Sequence, residues 1–489
     1  MNRVVMNHAT RASGRHRLRR LALLIAAASL TPMFTGCASF SSDGGFAVVE
    51  RTAKERLGKD VLWSRSEADQ DVITQRAGEL LAKPLTVDDA VQLALLNNRG
   101  LQAAFQELGI TEAEVVLAGR LPNPGFSFAR LRRGDEVELE RGFHFNLARL
   151  LALPLLQQVE ARRFEQTQAM VTMNMLSLAA EARKAYFNAL AGEETVRYMR
   201  QVKQAAEASA ELARRMEQVG NFNKLQRARE QSFYADAALN LARAEATQRA
   251  TRERLTRLLG VWGEQTLFRL PDRLPDLPDL PDAATELPDV EAVALAQRLD
   301  VQGAKLAAEQ TAKNLGLTRT TRFINVLEVG AIHDTSNAAP VRRGWEVSVE
   351  LPLFDWGGAR VARAQAVYMQ AVHRAAETAI NARSEVREAY FGYRSAFEIA
   401  RHHRDEIVPL RRRIAEENLL RYNGMLIGVF ELLADARESV AAVNAAIEAS
   451  RDFWLAEADL QAAQNGAAAG LRRASGAAPA MAVAGPKGH

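Results

Sequence analysis

The chain has 489 residues, 48% of them hydrophobic and 25% charged, and a formal net charge of +4. Its one cysteine excludes an intrachain disulfide framework and any CxxC metal or redox site. Six of the 63 basic residues and none of the 59 acidic ones precede Cys37, so the remainder holds 57 basic against 59 acidic residues, a net of −2. That balance does not recommend nucleic acid as a partner. Arg411-Arg412-Arg413 and Arg162-Arg163 are short clusters without interleaved aromatics, and read as solvated helix faces.

Residues 1–36 read as an export signal. Arg3, Arg11, Arg15, Arg17, Arg19 and Arg20 form a basic region, Leu21 to Leu30 an apolar core too short to span a bilayer, and Phe34-Thr35-Gly36-Cys37 a small-residue cleavage site. The last four residues resemble a bacterial lipobox, with Phe34 in place of the usual Leu. That resemblance implies lipidation of Cys37 as the mature N-terminus. Ala38 stands where an inner-membrane retention signal has Asp, which implies delivery to the outer membrane. The alternative is ordinary cleavage, with Cys37 discarded or free.

Residues 37–85, of mixed composition around an isolated Trp63, are expected to form an extended leader. A capping pattern at Thr86-Val87-Asp88-Asp89 then opens a helix that runs to about Gly119. Pro122-Asn123-Pro124-Gly125 stops it. Strands follow at about 125–133 and 139–149, with Phe126, Phe128 and Leu139 to Leu147 in period-two positions around a Gly134-Asp135 turn. Leu153-Pro154-Leu155 is expected to mark the passage from sheet to helix. No strong breaker intervenes between Leu155 and Gly220, about 66 residues, or a rod of roughly 100 Å. At Gly220 the rod should reverse, and a return helix runs to Gly260.

Residues 86–260 are followed by a linker, 261–288, in which Pro271, Pro275, Pro278, Pro281 and Pro288 favour extended chain. A second copy, 289–466, then repeats the first. Ala294 to Ala304 aligns without a gap to Ala94 to Ala104, and Ala389-Tyr390-Phe391 answers Ala185-Tyr186-Phe187. Its strands fall at about 323–332 and 344–353, its sheet-to-helix junction at Pro352 and its tip at Gly424. Trp345, Val347, Val349 and Leu351 alternate with Glu346, Ser348 and Glu350. A heptad-like seam runs through Val386, Tyr390, Tyr393, Phe397, Ala400, Ile407, Leu410 and Ile414, and in the first copy through Leu212, Met216 and Val219. Pro409 is expected to bend the second rod. Asp435-Ala436-Arg437-Glu438 aligns with Arg227-Ala228-Arg229-Glu230 only after a four-residue shift, so the two tips differ. The Ala/Gly/Pro-rich tail, 467–489, is expected to be disordered.

The strands suit a half-buried sheet in a soluble protein and equally a barrel wall with lipid outside and water inside. Four strands cannot close. In hydrocarbon each unsatisfied edge group costs several kcal/mol, so a membrane sheet must pair its edges with other chains. Three copies give twelve strands; two or four copies remain open on strand count alone.

The order and duplication of these segments over roughly Thr86 to Gly466 resemble the outer membrane efflux protein family, the TolC type. The resemblance rests on the doubled Ala/Leu-rich opening segment, the proline after each strand pair, the two Ala-Tyr-Phe triplets and Arg421-Tyr422-Asn423-Gly424. It implies a mainly α fold with a small β part, assembled as a homotrimer with a twelve-strand outer-membrane barrel in lipid and a helical tunnel across the periplasm. It also implies docking to a periplasmic adaptor and an inner-membrane pump, and conduction without chemistry or cofactor. The rival readings are a periplasmic adaptor and a structural coiled-coil lipoprotein.

In the family the second tip carries Asp-x-x-Asp at a constriction. Here Glu431 is the candidate for the first acid and Asp435 lies one residue later than the pattern, while no arginine among Met425 to Ile427 matches the family's brace. Glu431 reads equally as a solvated helix residue, and Asp435 as structural. His403 is expected to be a hydrogen-bonded core histidine, and Met170, Met173 and Met175 packing residues. No HExxH, GxSxG, P-loop or GxGxxG is present, so neither an enzymatic nor a metal site is expected.

Overall fold

The computed structural model describes residues 39–278, 287–321, 327–349 and 354–466. The export signal 1–36, Cys37, Pro281, Pro352 and the tail 467–489 lie outside the described residues. Among the described residues the chain is mainly helical with one four-stranded antiparallel sheet, and it divides into two compact units.

The first unit comprises Ile110–Phe164 and Gln310–Tyr368 with the N-terminal stretch up to Gly44. It holds β1 (Gly125–Arg133), β2 (Glu136–Asn146), β3 (Leu327–Ser336) and β4 (Arg342–Val349), in the order β1-β2-β3-β4. Each copy supplies one hairpin, and the β2–β3 ladder joins the copies through Phe143 opposite Ala331 and Phe145 opposite Val329. The hairpin turns are tied by Asn337, whose amide donates to the Asp135 carbonyl at 2.9 Å and accepts from the Val137 N–H at 2.8 Å. β2 ends three residues earlier than the expected 149. The reason is Asn146, whose side chain accepts the Arg149 N–H at 2.8 Å and caps a helix there.

That helix corrects the role expected of Pro154. It runs from Leu147 to Gln218, so Pro154 is its eighth residue and not the junction. The asparagine cap acts before the proline is reached, and Pro154 only removes one donor from a ladder already begun. This 72-residue helix is α5 in chain order.

The second unit comprises Gly45–Gly109, Glu165–Glu309 and the chain from Met369 onward. The extended leader is corrected here: it folds into α1 (Ala47–Leu57) and α2 (Glu67–Leu81). Ser66 and Asp69 close a capping box at the start of α2, and Val49, Ala53, Ile73 and Ala77 bury one face of each helix. The single opening helix expected over 86–119 divides into α3 (Val87–Asn97) and α4 (Arg99–Ala118), separated by extended backbone at Asn98. Thr86 and Asp89 form the capping box that the sequence announces.

The return helix α6 (Lys224–Leu259) packs with α3 and α5 around Tyr186, Phe187, Leu190, Leu93, Leu255 and Leu259. Tyr186 donates to the Leu85 carbonyl at 3.0 Å, and burial pushes its phenol up to about 12. The linker is a packed strap where it is described. Leu85 N–H donates to the Arg269 carbonyl at 2.8 Å, Phe268 and Leu274 are buried, and the Trp454 indole donates to the Pro275 carbonyl.

In the second copy α7 (Leu287–Gln297) and α8 (Leu299–Thr321) repeat the break, at Arg298. Helix α9 (Gly358–His402) is followed by a π-helical turn, His403–Ile407, and α10 (Val408–Asn423). Pro409 explains the turn. It cannot donate into the helical ladder, and the Val408 N–H reaches back five residues to the His403 carbonyl. His403 is not the hydrogen-bonded core residue expected: it is half-buried, and its Nδ1 has no partner among the described residues. The seam is sealed at Val386, Phe397 and Ala400 but open distally, since Leu212, Val219 and Leu410 are each at least half exposed. Met170 is likewise partly exposed, whereas Met173 and Met175 are core. The last described helix is α11 (Val429–Asn465).

Candidate functional site

The two tips reverse by different chemistry. At the first, Gly220 adopts φ +80°, and the Asn221 and Phe222 N–H groups return to the Met216 carbonyl at 2.9 and 3.1 Å. Asn223 then caps α6 in a box with Gln226, and Arg227 pairs with Glu217 across the turn at 2.7 Å. At the second tip Gly424 has φ −80°, and it is Met425 that takes the left-handed conformation, φ 60°. Met425 and Leu426 stand almost wholly in the open. Gly428 opens α11 without a side-chain cap.

Glu431 lies in the first turn of α11, where its negative charge complements the helix N-terminus. It is exposed, and no hydrogen bond or ion pair holds its carboxylate among the described residues. Asp435, one helical turn later, is 8% exposed, with Oδ2 buried and without a partner among the described residues. The two acids therefore share a helix face in spacing but not an environment, and the described chain does not bring them into one cluster.

A neighbouring site was not foreseen. Glu230 of α6 is 1% exposed; it accepts the Ser209 hydroxyl at 2.8 Å and the Arg437 guanidinium at 3.0 Å. Arg437 also lies over the Phe233 ring at 4.5 Å. A residue from each of α5, α6 and α11 thus meets at one buried carboxylate. The signal was present in the doubled Ala-Arg-Glu: Arg437 of the second copy pairs with the glutamate of the first. Its aligned partner Glu438 pairs instead with Arg411 of α10.

The sheet presents two unlike faces. The register places Phe126, Phe143, Ala331 and Trp345 in one row, above Phe145, Val329 and Val347. Phe126, Phe143, Trp345, Val347 and Val349 on this face are exposed. The opposite face carries Glu136, Glu138, Glu140, Glu328, Asp334 and Glu346, with Asp334 held by Arg342 at 2.6 Å. β1 and β4 each pair on one side only among the described residues.

No family model matches the chain. A cobalt-zinc-cadmium resistance protein, CzcC of Cupriavidus metallidurans, is 26% identical over 293 residues, which cover 56% of this chain and 64% of that relative's length. The outer membrane channel CmeC of Campylobacter jejuni superposes with a TM-score of 0.67 at 17% identity, over 80% of this chain and 89% of that one. The chain has the TolC-type outer-membrane channel fold. The outer membrane protein VceC of Vibrio cholerae matches with a TM-score of 0.65 at 14% identity, over 78% of this chain and 96% of that one. The expected class, mainly α with a small antiparallel β part, is the observed one.

Proposed function

We propose that the chain is the outer-membrane channel of a tripartite efflux system, working as a homotrimer that docks to a periplasmic adaptor and an inner-membrane pump. One observation carries the reading: a four-stranded sheet with two edges open among the described residues, one exposed aromatic face and one acidic face. Such a sheet is unstable alone in lipid and becomes a wall when sister copies pair the edges, with the aromatic face in hydrocarbon and the acidic face on water. The exposed distal seam at Leu212, Val219 and Leu410 supports further copies packing along the helices. The channel lowers no chemical barrier. It provides a conduit, and contact at the tips shifts its population between narrow and open states. Lipidation at Cys37 would tether the complex to the same membrane.

A cation cargo is the favoured substrate class. The acidic sheet face supports it, and so does the name of the relative CzcC, a cobalt-zinc-cadmium resistance protein. Planar-bilayer recordings of the purified full chain under a KCl gradient test this. A reversal potential of the sign for cation preference is expected; an anion-preferring pore would sink the cargo reading, and no channel at all would sink the conduit.

A further inference from the structure

The exposed aromatic face of the sheet is not apolar throughout. Moving toward the hairpin turns, the row after Phe126 and Trp345 contains Phe128, Arg141, His333 and Arg343, and the next two rows add Arg130 and Arg132. Arg130, Arg132 and Arg343 are exposed and Arg141 half-buried. Every carboxylate of the four strands lies on the opposite face, where Arg342 finds Asp334; its neighbour Arg343 finds none. Among the described residues Arg130, Arg141 and Arg343 make no ion pair, and Arg132 only donates to the Gly134 carbonyl at 2.9 Å.

Height locates these charges. Six residues separate Val349 from Arg343, about 20 Å along an antiparallel strand, which at a barrel strand's tilt of about 40° is about 15 Å of height. An outward-facing apolar band of a barrel is roughly 25 Å tall. The arginines stand about 15 Å from Val349, on the side opposite the helices that the strands join, and bound a band of that height whose remaining part falls beyond the strand ends, where Leu151 and Phe354 are exposed. Guanidinium groups left without carboxylates at that level match phosphate, which accepts their planar donor fork and is concentrated in lipid headgroups.

We infer that Arg130, Arg132, Arg141 and Arg343 form a binding girdle for the phosphates of lipopolysaccharide in the outer leaflet. The inference rests on the sheet being a membrane wall as proposed above. The girdle anchors the height of the barrel and fixes its outer rim to a specific lipid.

The test uses the purified full chain in detergent, titrated with bisphosphorylated lipid A and with lipid A stripped of both phosphates. Wild type should bind the phosphorylated form about tenfold or more tightly, since each arginine near an anionic surface contributes roughly fivefold and several act together. The triple variant Arg130→Gln/Arg141→Gln/Arg343→Gln should lose that preference. The matching triple lysine variant should keep only part of it, since an ammonium carries the charge without the donor fork, and Arg133→Gln on the acidic face all of it. Equal binding of both lipids by wild type would overturn the inference, even if the glutamine variant fails to fold. Equal preference for phosphatidylglycerol micelles would overturn the assignment to lipopolysaccharide. Conductance is recorded on the same preparations, so a channel that conducts without lipid preference refutes the girdle alone, and a preparation with no conductance refutes the channel.

Discussion

The two copies close the same joint with different chemistry. In each, the break between the paired opening helices receives the C-terminal end of the return helix. In the first copy the joint is neutral: Asn97 donates to the Gly260 carbonyl at 2.8 Å, and Asn98 donates to the Leu258 carbonyl at 2.9 Å while accepting the Leu101 N–H. In the second copy Arg298 takes the place of Asn98. It is 1% exposed, grips Asp300 through two nitrogens at 3.0 and 2.7 Å, reaches Glu385 at 2.7 Å and donates to the Ala463 carbonyl at 2.9 Å. Arg56 of α1 closes the outside, donating to Asn465 and to the Gln297 carbonyl. The backbone geometry is shared, and what satisfies it is not. The neutral joint leans on the large core around Tyr186, whereas the cluster at Ala294, Val386 and Ala463 is small and the joint is ionic. Duplication has kept a position and exchanged the force that holds it.

That contrast is broken most sharply at Arg298. Arg298→Ala leaves Asp300 and Glu385 without their cation in a buried setting, and should cost about 3–5 kcal/mol. Asn98→Ala should cost only about 1 kcal/mol, since it removes neutral bonds at a partly buried position. Urea unfolding monitored by circular dichroism separates them, and equal losses would refute the distinction.

Glycine at the return-helix end tests the shared geometry. Gly260 and Gly466 have φ +68° and +77°, and a Cβ would meet the Asn97 carbonyl oxygen at 2.6 Å or Asp300 Oδ1 at 2.6 Å. Gly260→Ala and Gly466→Ala should therefore each cost about 1–3 kcal/mol, from left-handed strain and the close approach together. A neutral result at either would show that the return helix is not seated as described.

The smallest effect concerns pH. The Tyr186 phenol is held near 12 by burial against an ordinary value of 10, so the unfolded chain loses this proton first. Stability is unaffected below pH 10 and falls as pH rises from about 10 through about 12. Tyr186→Phe should flatten that slope in a pH series of thermal melts.

The doubled order of elements, the hairpins and the capping box at Thr86 were legible because each has a local signature. The apolar alternation from Leu139 to Leu147 hid the helix start, since Asn146 reads as one more strand residue until its cap bond is seen. The helices at 47–57 and 67–81 were missed because their apolar stripes are narrow and are completed by packing. Arg298 resembles a surface residue in sequence. Only the return helix, 165 positions away, turns it into the centre of a joint. Glu431 and Asp435 share spacing, but one faces solvent and the other a packed interface, which spacing does not encode.

Single-channel recording on purified full-length protein, paired with heat-modifiable gel migration of outer-membrane fractions, tests the central claim most directly. The account expects a trimer that dissociates on boiling and opens discrete conducting steps in a planar bilayer. A monomer in the soluble periplasmic fraction that opens no steps would contradict it.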